Sequence, residues 1–400
     1  MRYPLANSSW DHEEVAAIQA VVDTGMFTMG ARVAEFERAF ADYTGSRHCV
    51  MVNSGSSANL LMVAALRYRK QDPLPAGAEV IVPAVSWSTT YYPLYQYGLK
   101  LSFVDIDRET LNYDLAKLAG AIGPQTRAIM AVNLLGNPND FVRIANIIAD
   151  RNIVLIEDNC ESMGATLNGR QMGTFGLMGS FSSFFSHHIS TMEGGMVVTD
   201  DEELYHILLT LRAHGWTRNL PKFNHVTALK SEDPFTESFR FVLPGYNVRP
   251  LEMSGAIGLA QLRKLPRLIA ERRKNATRFL QLMQAYPFLR TQREIGESSW
   301  FGFSIIVEPD APITRSKLLA AFTNAGIDVR PIVAGNFAKN EVLRWFDYTI
   351  SDSLPNAEHI DQAGFFIGNH HYPLEQEFEL LRGAIDEVVS SPAGRRIASA

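Results

Sequence analysis

Ile153-Val154-Leu155-Ile156-Glu157-Asp158 is an apolar run closed by two carboxylates. A strand with one wet face alternates apolar and polar residues; an unbroken run of aliphatic residues fits a strand covered on both faces. The acids at its carboxyl end fall where open α/β sheets place their ligand contacts. The same signature recurs on either side. Residues 48–52, 79–83, 101–105, 128–132 and 195–199 are short apolar runs, and helix-length segments such as 58–66 separate them. Parallel neighbours need crossovers of about that length. The alternation predicts an α/β fold with a largely parallel sheet flanked by helices.

A large domain is expected over residues 1–250. A long helical stretch from Leu251 through Lys274 towards Tyr286 should then lead into a smaller C-terminal α+β domain, 251–400, with strand candidates at 303–307 and 327–330. The polar, Pro-containing segment 222–237 reads as a mobile loop. The chain has 400 residues, 46% hydrophobic and 20% charged, and a net charge of −6. That balance fits a globular protein and lacks the basic face that nucleic acid requires. Met1 to Trp10 carries no apolar core of a secretory signal, and no apolar run approaches the ~20 residues of a membrane span. A cytoplasmic location is expected. Cys49 and Cys160 give neither a disulfide framework nor zinc spacing, and two thiolates fall short of an iron–sulfur site.

Five segments carry potential chemistry. In Asn53-Ser54-Gly55-Ser56-Ser57-Ala58-Asn59 a strand gives way to a helix through a Gly/Ser turn. Read singly, it is a Ser-rich helix cap or a phosphate cradle of backbone N–H groups and hydroxyls. Asp158, in Glu157-Asp158-Asn159-Cys160-Glu161, either caps the next turn or holds a pyridine nitrogen protonated. Trp87 follows a strand, as a core residue or as a surface on which a flat ring stacks. Pro244-Gly245-Tyr246-Asn247-Val248-Arg249-Pro250 is a framed turn that could present an amide and a guanidinium. The fifth segment, Ser182-Ser183-Phe184-Phe185-Ser186-His187-His188-Ile189-Ser190-Thr191-Met192-Glu193-Gly194-Gly195, holds tandem histidines, and no lysine occurs between residues 118 and 221. Imidazole exchanges protons near neutral pH. No further ligand lies at a metal spacing from the pair, so no metal site is expected there.

Together and in this order, these segments resemble the sugar aminotransferase family of the aspartate aminotransferase superfamily, fold type I. The likeness spans nearly the whole chain. It includes Tyr3-Pro4-Leu5-Ala6, Met26-Phe27-Thr28-Met29-Gly30 and Val82-Pro83-Ala84-Val85-Ser86-Trp87-Ser88. It continues through Asn133-Leu134-Leu135-Gly136-Asn137-Pro138, Arg212-Ala213-His214-Gly215-Trp216 and Glu297-Ser298-Ser299-Trp300-Phe301. Members of the family carry pyridoxal 5'-phosphate (PLP) on a loop lysine through a Schiff base. Histidine in its place is similar to a branch of dehydratases acting on nucleotide-linked 4-keto-6-deoxy sugars.

The resemblance implies that Gly55, Ser56, Ser57 and Ser183 hold the cofactor phosphate. Asn247 would reach across from the second subunit of a homodimer with shared sites. Trp87 would stack on the ring, Asp158 would pair with its nitrogen, and Glu161 would sit near its hydroxyl. His187 lies six residues before Glu193, at the place of the family's lysine, and is the expected base, with His188 as the lesser candidate. Arg218 would meet the glutamate carboxylate or the sugar. The implied reaction uses PLP and pyridoxamine 5'-phosphate (PMP), takes nitrogen from L-glutamate, removes the C3 hydroxyl and releases ammonia. GDP-4-keto-6-deoxy-D-mannose is the expected substrate, and the nucleotide follows from the resemblance alone. A related branch that adds an iron–sulfur cluster is disfavoured by the cysteine count. Two alternatives stand beside this one: a sugar aminotransferase that leaves the nitrogen on its product, and a non-catalytic binding relic. The fate of the nitrogen separates all three.

Overall fold

The computed structural model describes residues 2–390. Its centre is an eight-stranded sheet in the spatial order His48–Val52, Gly195–Thr199, Met178–Ser182, Val154–Asp158, Thr126–Val132, Glu79–Pro83, Lys100–Val104, Tyr348–Ile350. Neighbours are parallel except around Gly195–Thr199, which runs antiparallel to both of its partners. Helices cover both faces of this mixed, mostly parallel sheet, the α/β arrangement expected from the alternation of apolar runs and helix-length segments. Register sets Val132 opposite Asp158 and Asp158 opposite Ser180, so the carboxyl ends of the central strands finish level with one another.

The helix Gly55–Tyr68 crosses one face of the sheet. Ser54 caps it by accepting the N–H of Ser57 at 3.1 Å. Its stripe of Ala58, Leu61, Met62 and Ala65 is fully buried. Burying a Leu or Met side chain contributes about 1.5–3 kcal/mol, so this face fixes the helix against the strands and with it the position of its N-terminus.

The C-terminal part has its own sheet, ordered Leu289–Arg290, Gly302–Val307, Gly364–Gly368, Val329–Arg330, antiparallel throughout. The 32-residue helix Glu252–Met283 leads into it. The N-terminal segment packs here as well: Tyr3 is fully buried, and its hydroxyl donates to the Gly368 carbonyl at 2.6 Å.

Three features were not read from the sequence. The strand Met178–Ser182 escaped notice because Met-Gly-Ser-Phe-Ser is not an apolar run; Gly179 is required there, since a Cβ would stand 2.2 Å from the Gly173 carbonyl oxygen. The division at residue 250 is crossed by Tyr348–Ile350, which returns to the large sheet beside Lys100–Val104. Segment 222–237 is built rather than loose: Phe223–Asn224 pairs with Ala228–Leu229, and a short helix, Pro234–Ser238, follows. Glu237, 8% exposed, anchors it by accepting from the Ser231 N–H at 2.6 Å and the Arg240 guanidinium at 2.7 Å.

Candidate active site

A cavity of about 700 Å³ opens where the central strands end. It lies between the large sheet and the start of the smaller one, with Leu5, Phe301 and Arg330 on the far wall. Asp158, 6% exposed, puts a firmly held carboxyl group on its wall. Oδ2 accepts from Asn59 at 2.8 Å and from the Thr90 hydroxyl at 2.7 Å, and Oδ1 accepts from the Cys160 N–H at 3.1 Å. Ser180 in turn donates to the Asn59 amide oxygen at 2.6 Å, which fixes the orientation of that amide. Trp87, 58% exposed, stands at the cavity mouth just before the helix Ser88–Gln96.

Ser54, Gly55 and Ser56 present the N-terminus of the helix Gly55–Tyr68 to the cavity. Unpaired N–H groups there favour an anion. Glycine is demanded at 55, because a Cβ would meet Ser182 Cβ at 2.7 Å and Cys160 Sγ at 2.8 Å. Two of the expected phosphate ligands are turned away. The Ser57 hydroxyl donates to Asn53 Oδ1 at 2.7 Å, and the buried Ser183 hydroxyl lies 2.6 Å from Thr191 Oγ1. Ser182 lines the cavity in place of Ser183. Successive residues of a strand face opposite ways, so only one of these two adjacent serines faces the cavity.

The tandem histidines part company in the same manner. His187 lines the cavity, and its buried Nδ1 has no hydrogen-bond partner among the described residues. Its ring packs against Phe184 and Phe301, at centroid distances of 5.9 and 5.1 Å. Burial, reinforced by the Arg272 charge, pushes its pKa down to about 4, so the imidazole is neutral at physiological pH and able to take a proton. His188 is 1% exposed, does not line the cavity, and has its Nε2 3.2 Å from the Ser299 carbonyl. Glu161 lines the cavity and accepts the Leu135 N–H at 2.8 Å. Burial, with Asp158 adding to it, pushes the Glu161 carboxyl up to about 7.

Arg218 and Asn247 do not line the cavity. The Arg218 guanidinium lies 4.4 Å above the Trp216 ring, and Asn247 accepts from Arg249 Nε at 3.0 Å. Both belong to a surface that also exposes Phe235, Phe239 and Phe241 at 88%, 67% and 56%. Sequence reasoning passed over Ser54, Ser182, Glu193, Arg272 and Arg330, all of which line the cavity. Arg272 sits in Glu271-Arg272-Arg273-Lys274, which reads as a solvated helix face.

A sequence model described as the DegT/DnrJ/EryC1/StrS aminotransferase family matches residues 8–378. The chain belongs to that family. It is 62% identical to GDP-4-keto-6-deoxy-D-mannose 3-dehydratase of Yersinia pseudotuberculosis over 95% of this chain and 97% of the relative. Two crystal structures of GDP-4-keto-6-deoxymannose-3-dehydratase superpose with a TM-score of 0.95 at 60% identity, each covering 96% of this chain and 100% of the other. One is a histidine-to-asparagine variant with bound GDP-perosamine; the other holds a trapped PLP-glutamate geminal diamine. No helix among the described residues is long and apolar enough to cross a membrane.

Proposed function

We infer that this chain is a PLP- and PMP-dependent enzyme that removes the C3 hydroxyl of GDP-4-keto-6-deoxy-D-mannose, with L-glutamate as the amine donor and ammonia as the nitrogen product. One observation carries the reading: the cavity of an aminotransferase fold is lined by His187 and by no lysine. A lysine there would tether the cofactor; a neutral imidazole leaves it free and supplies a base. The donor set suits the cofactor. Gly55, Ser56 and Ser182 offer N–H and hydroxyl groups to a phosphate, Trp87 offers a stacking face, and Asp158 offers a carboxylate held by three donors.

When bound, the cofactor accepts the amine of glutamate and acts as an electron sink for loss of the sugar hydroxyl. The chain's residues do the rest. Asp158 keeps the sink charged. His187 removes a proton and, once it is an imidazolium, returns that proton to the departing C3 hydroxyl, which leaves as water. Phe184 and Phe301 shield the imidazole, and a general acid/base so placed contributes about 10²–10⁴-fold. Atoms balance as sugar plus glutamate giving the 3,6-dideoxy ketose, 2-oxoglutarate and ammonia.

The active unit in this reading is a homodimer in the cytoplasm. Asn247 and Arg218 lie on an aromatic surface away from their own cavity, which supports their serving the cavity of the partner subunit. The deciding experiment incubates the holoenzyme with GDP-4-keto-6-deoxy-D-mannose and L-glutamate, then weighs the sugar and assays ammonia. A product one oxygen lighter, with equimolar ammonia, is expected. An amino sugar that retains its C3 oxygen indicates an aminotransferase, and no turnover indicates a binding relic.

A further inference from the structure

A second cluster of ligating side chains lies outside the cavity. The helix Glu202–Arg212 carries Glu202 and His206 one turn apart, which sets both on the same face. That face meets the turn between Phe223–Asn224 and Ala228–Leu229 at His225. One ligand atom from each of these three side chains lies within 4.8 Å of the other two. His225 Nε2 stands 3.4 Å from Glu202 Oε2. That is long for a hydrogen bond. It matches the spacing of two ligands on one tetrahedral ion, about 3.3–3.6 Å for bonds of about 2.0–2.2 Å.

The surroundings hold the three in place. His206 is 2% exposed, and its ring stacks on that of His225 at 5.6 Å, centroid to centroid. Asn224 Oδ1 accepts the N–H groups of Val226 at 2.9 Å and Thr227 at 2.8 Å, which fixes the turn around His225. Glu202 and His225 are half exposed, so both have room to swing onto an ion. The neighbouring carboxylates are engaged elsewhere: Asp201 accepts the Leu204 N–H at 2.9 Å, and Glu203 the Lys70 N–H at 2.9 Å. Their charges offset the helix N-terminus, which by itself repels a cation. One contact is given up. His206 Nδ1 accepts the His225 N–H at 3.2 Å. An ion on Nδ1 takes that lone pair, and an ion on Nε2 requires the ring proton to sit on Nδ1. Either way one long hydrogen bond is exchanged for metal bonds.

We propose that Glu202, His206 and His225 form a binding site for a divalent cation of the zinc type. None of the three lines the cofactor cavity, so the site is separate from the chemistry. Two imidazoles and a carboxylate suit zinc; magnesium and calcium take oxygen ligands. Water takes the fourth position. The ion staples the hairpin to the helix. Trp216 and Arg218 lie in the chain between His206 and His225, so the staple closes the segment that carries them onto the aromatic surface.

The test uses untagged PLP holoenzyme, freed of metal by chelation and dialysis. Zinc is titrated by calorimetry into wild type, Glu202→Gln and His225→Ala, and melting temperatures are read with and without the ion. One zinc per chain is expected in wild type. Loss of even an outer-shell partner typically costs about 10–100-fold in metal affinity, so each substitution, which removes a ligand, should weaken zinc binding by about tenfold or more. Zinc should raise the melting temperature of wild type and leave that of the variants unmoved, because only the complete folded site binds it. Magnesium at the same concentration should do neither. Zinc constants within about twofold of one another in all three proteins would place the ion elsewhere, such as on the cofactor phosphate, and overturn the proposal. Absence of zinc binding by wild type, or equal affinity for magnesium, would overturn it as well. If His225→Ala does not fold, His225→Gln decides by the same two readings.

Discussion

The ring of His187 lies 5.1 Å, centroid to centroid, from the ring of Phe301. The first residue belongs to the loop after the strand Met178–Ser182, the second to the lead-in of the strand Gly302–Val307. The candidate base is thus held by both sheets at once. Its environment is as dry as the fit between them, which is why its pKa is depressed.

Exchange of each histidine should separate their roles. His187→Asn is expected to retain PLP, since imidazole is no tether, while slowing both half-reactions by about 10²–10⁴-fold. His188→Asn should cost stability at the Ser299 contact and leave turnover within a few-fold. Borohydride treatment should leave the wild-type mass unchanged after denaturation, whereas His187→Lys should gain a pyridoxyl group. Loss of turnover in His188→Asn alone would place the base one residue later.

Ser182 and Ser183 provide a sharper test of the phosphate cradle. Ser182→Ala should weaken PLP binding by roughly tenfold, the value of about one charge-assisted hydrogen bond. Ser183→Ala should chiefly lower the melting temperature, because the Thr191 hydroxyl loses its buried partner. Equilibrium dialysis of PLP against both variants reads the difference.

Shared sites predict complementation. A heterodimer of one Asn247→Ala chain and one His187→Ala chain has one cavity with both residues intact, and should recover activity that neither homodimer shows. Purified heterodimers with no activity above the parents would place Asn247 outside the partner's site.

The pH dependence has a definite sign. In the fold His187 takes up its proton only near pH 4, whereas an unfolded histidine does so near 6.5. Between these values the unfolded chain binds more protons, so this group makes the apoprotein lose stability as pH falls from about 6.5 to 4. His370 and His371, also held down to about 4 by burial and then by the Arg272 charge, act in the same direction. Urea midpoints of His187→Asn should fall less steeply with acid than those of wild type, by at most about 1.4 kcal/mol per pH unit. Identical slopes would mean that the wild-type imidazole is hydrated.

The central strands were legible because Val80, Ile81, Val82, Ile129 and Ile156 are buried from both sides and leave no polar alternation. Asp158 and His187 were legible because chain order alone places them, at a strand end and in a Gly-bounded loop. Ser182 and Ser183 were not told apart, since the facing of a side chain depends on the last residue that obeys the pleat. Arg272 was illegible for another reason: its neighbours in sequence are charged, and only the packing of Asn369 and Phe301 over it, 97 and 29 residues away, removes it from water.

The return of Tyr348–Ile350 to the large sheet bears on how this chain can be dissected. That strand pairs with Lys100–Val104 and covers what would otherwise be the free border of the sheet. A fragment ending near residue 250 would expose the unpaired amides of an apolar strand, a template for intermolecular pairing. The halves are therefore expected to be separately insoluble, and grafting the C-terminal sheet of one relative onto the large sheet of another should succeed only when the graft carries the 348–350 strand back to its matching border.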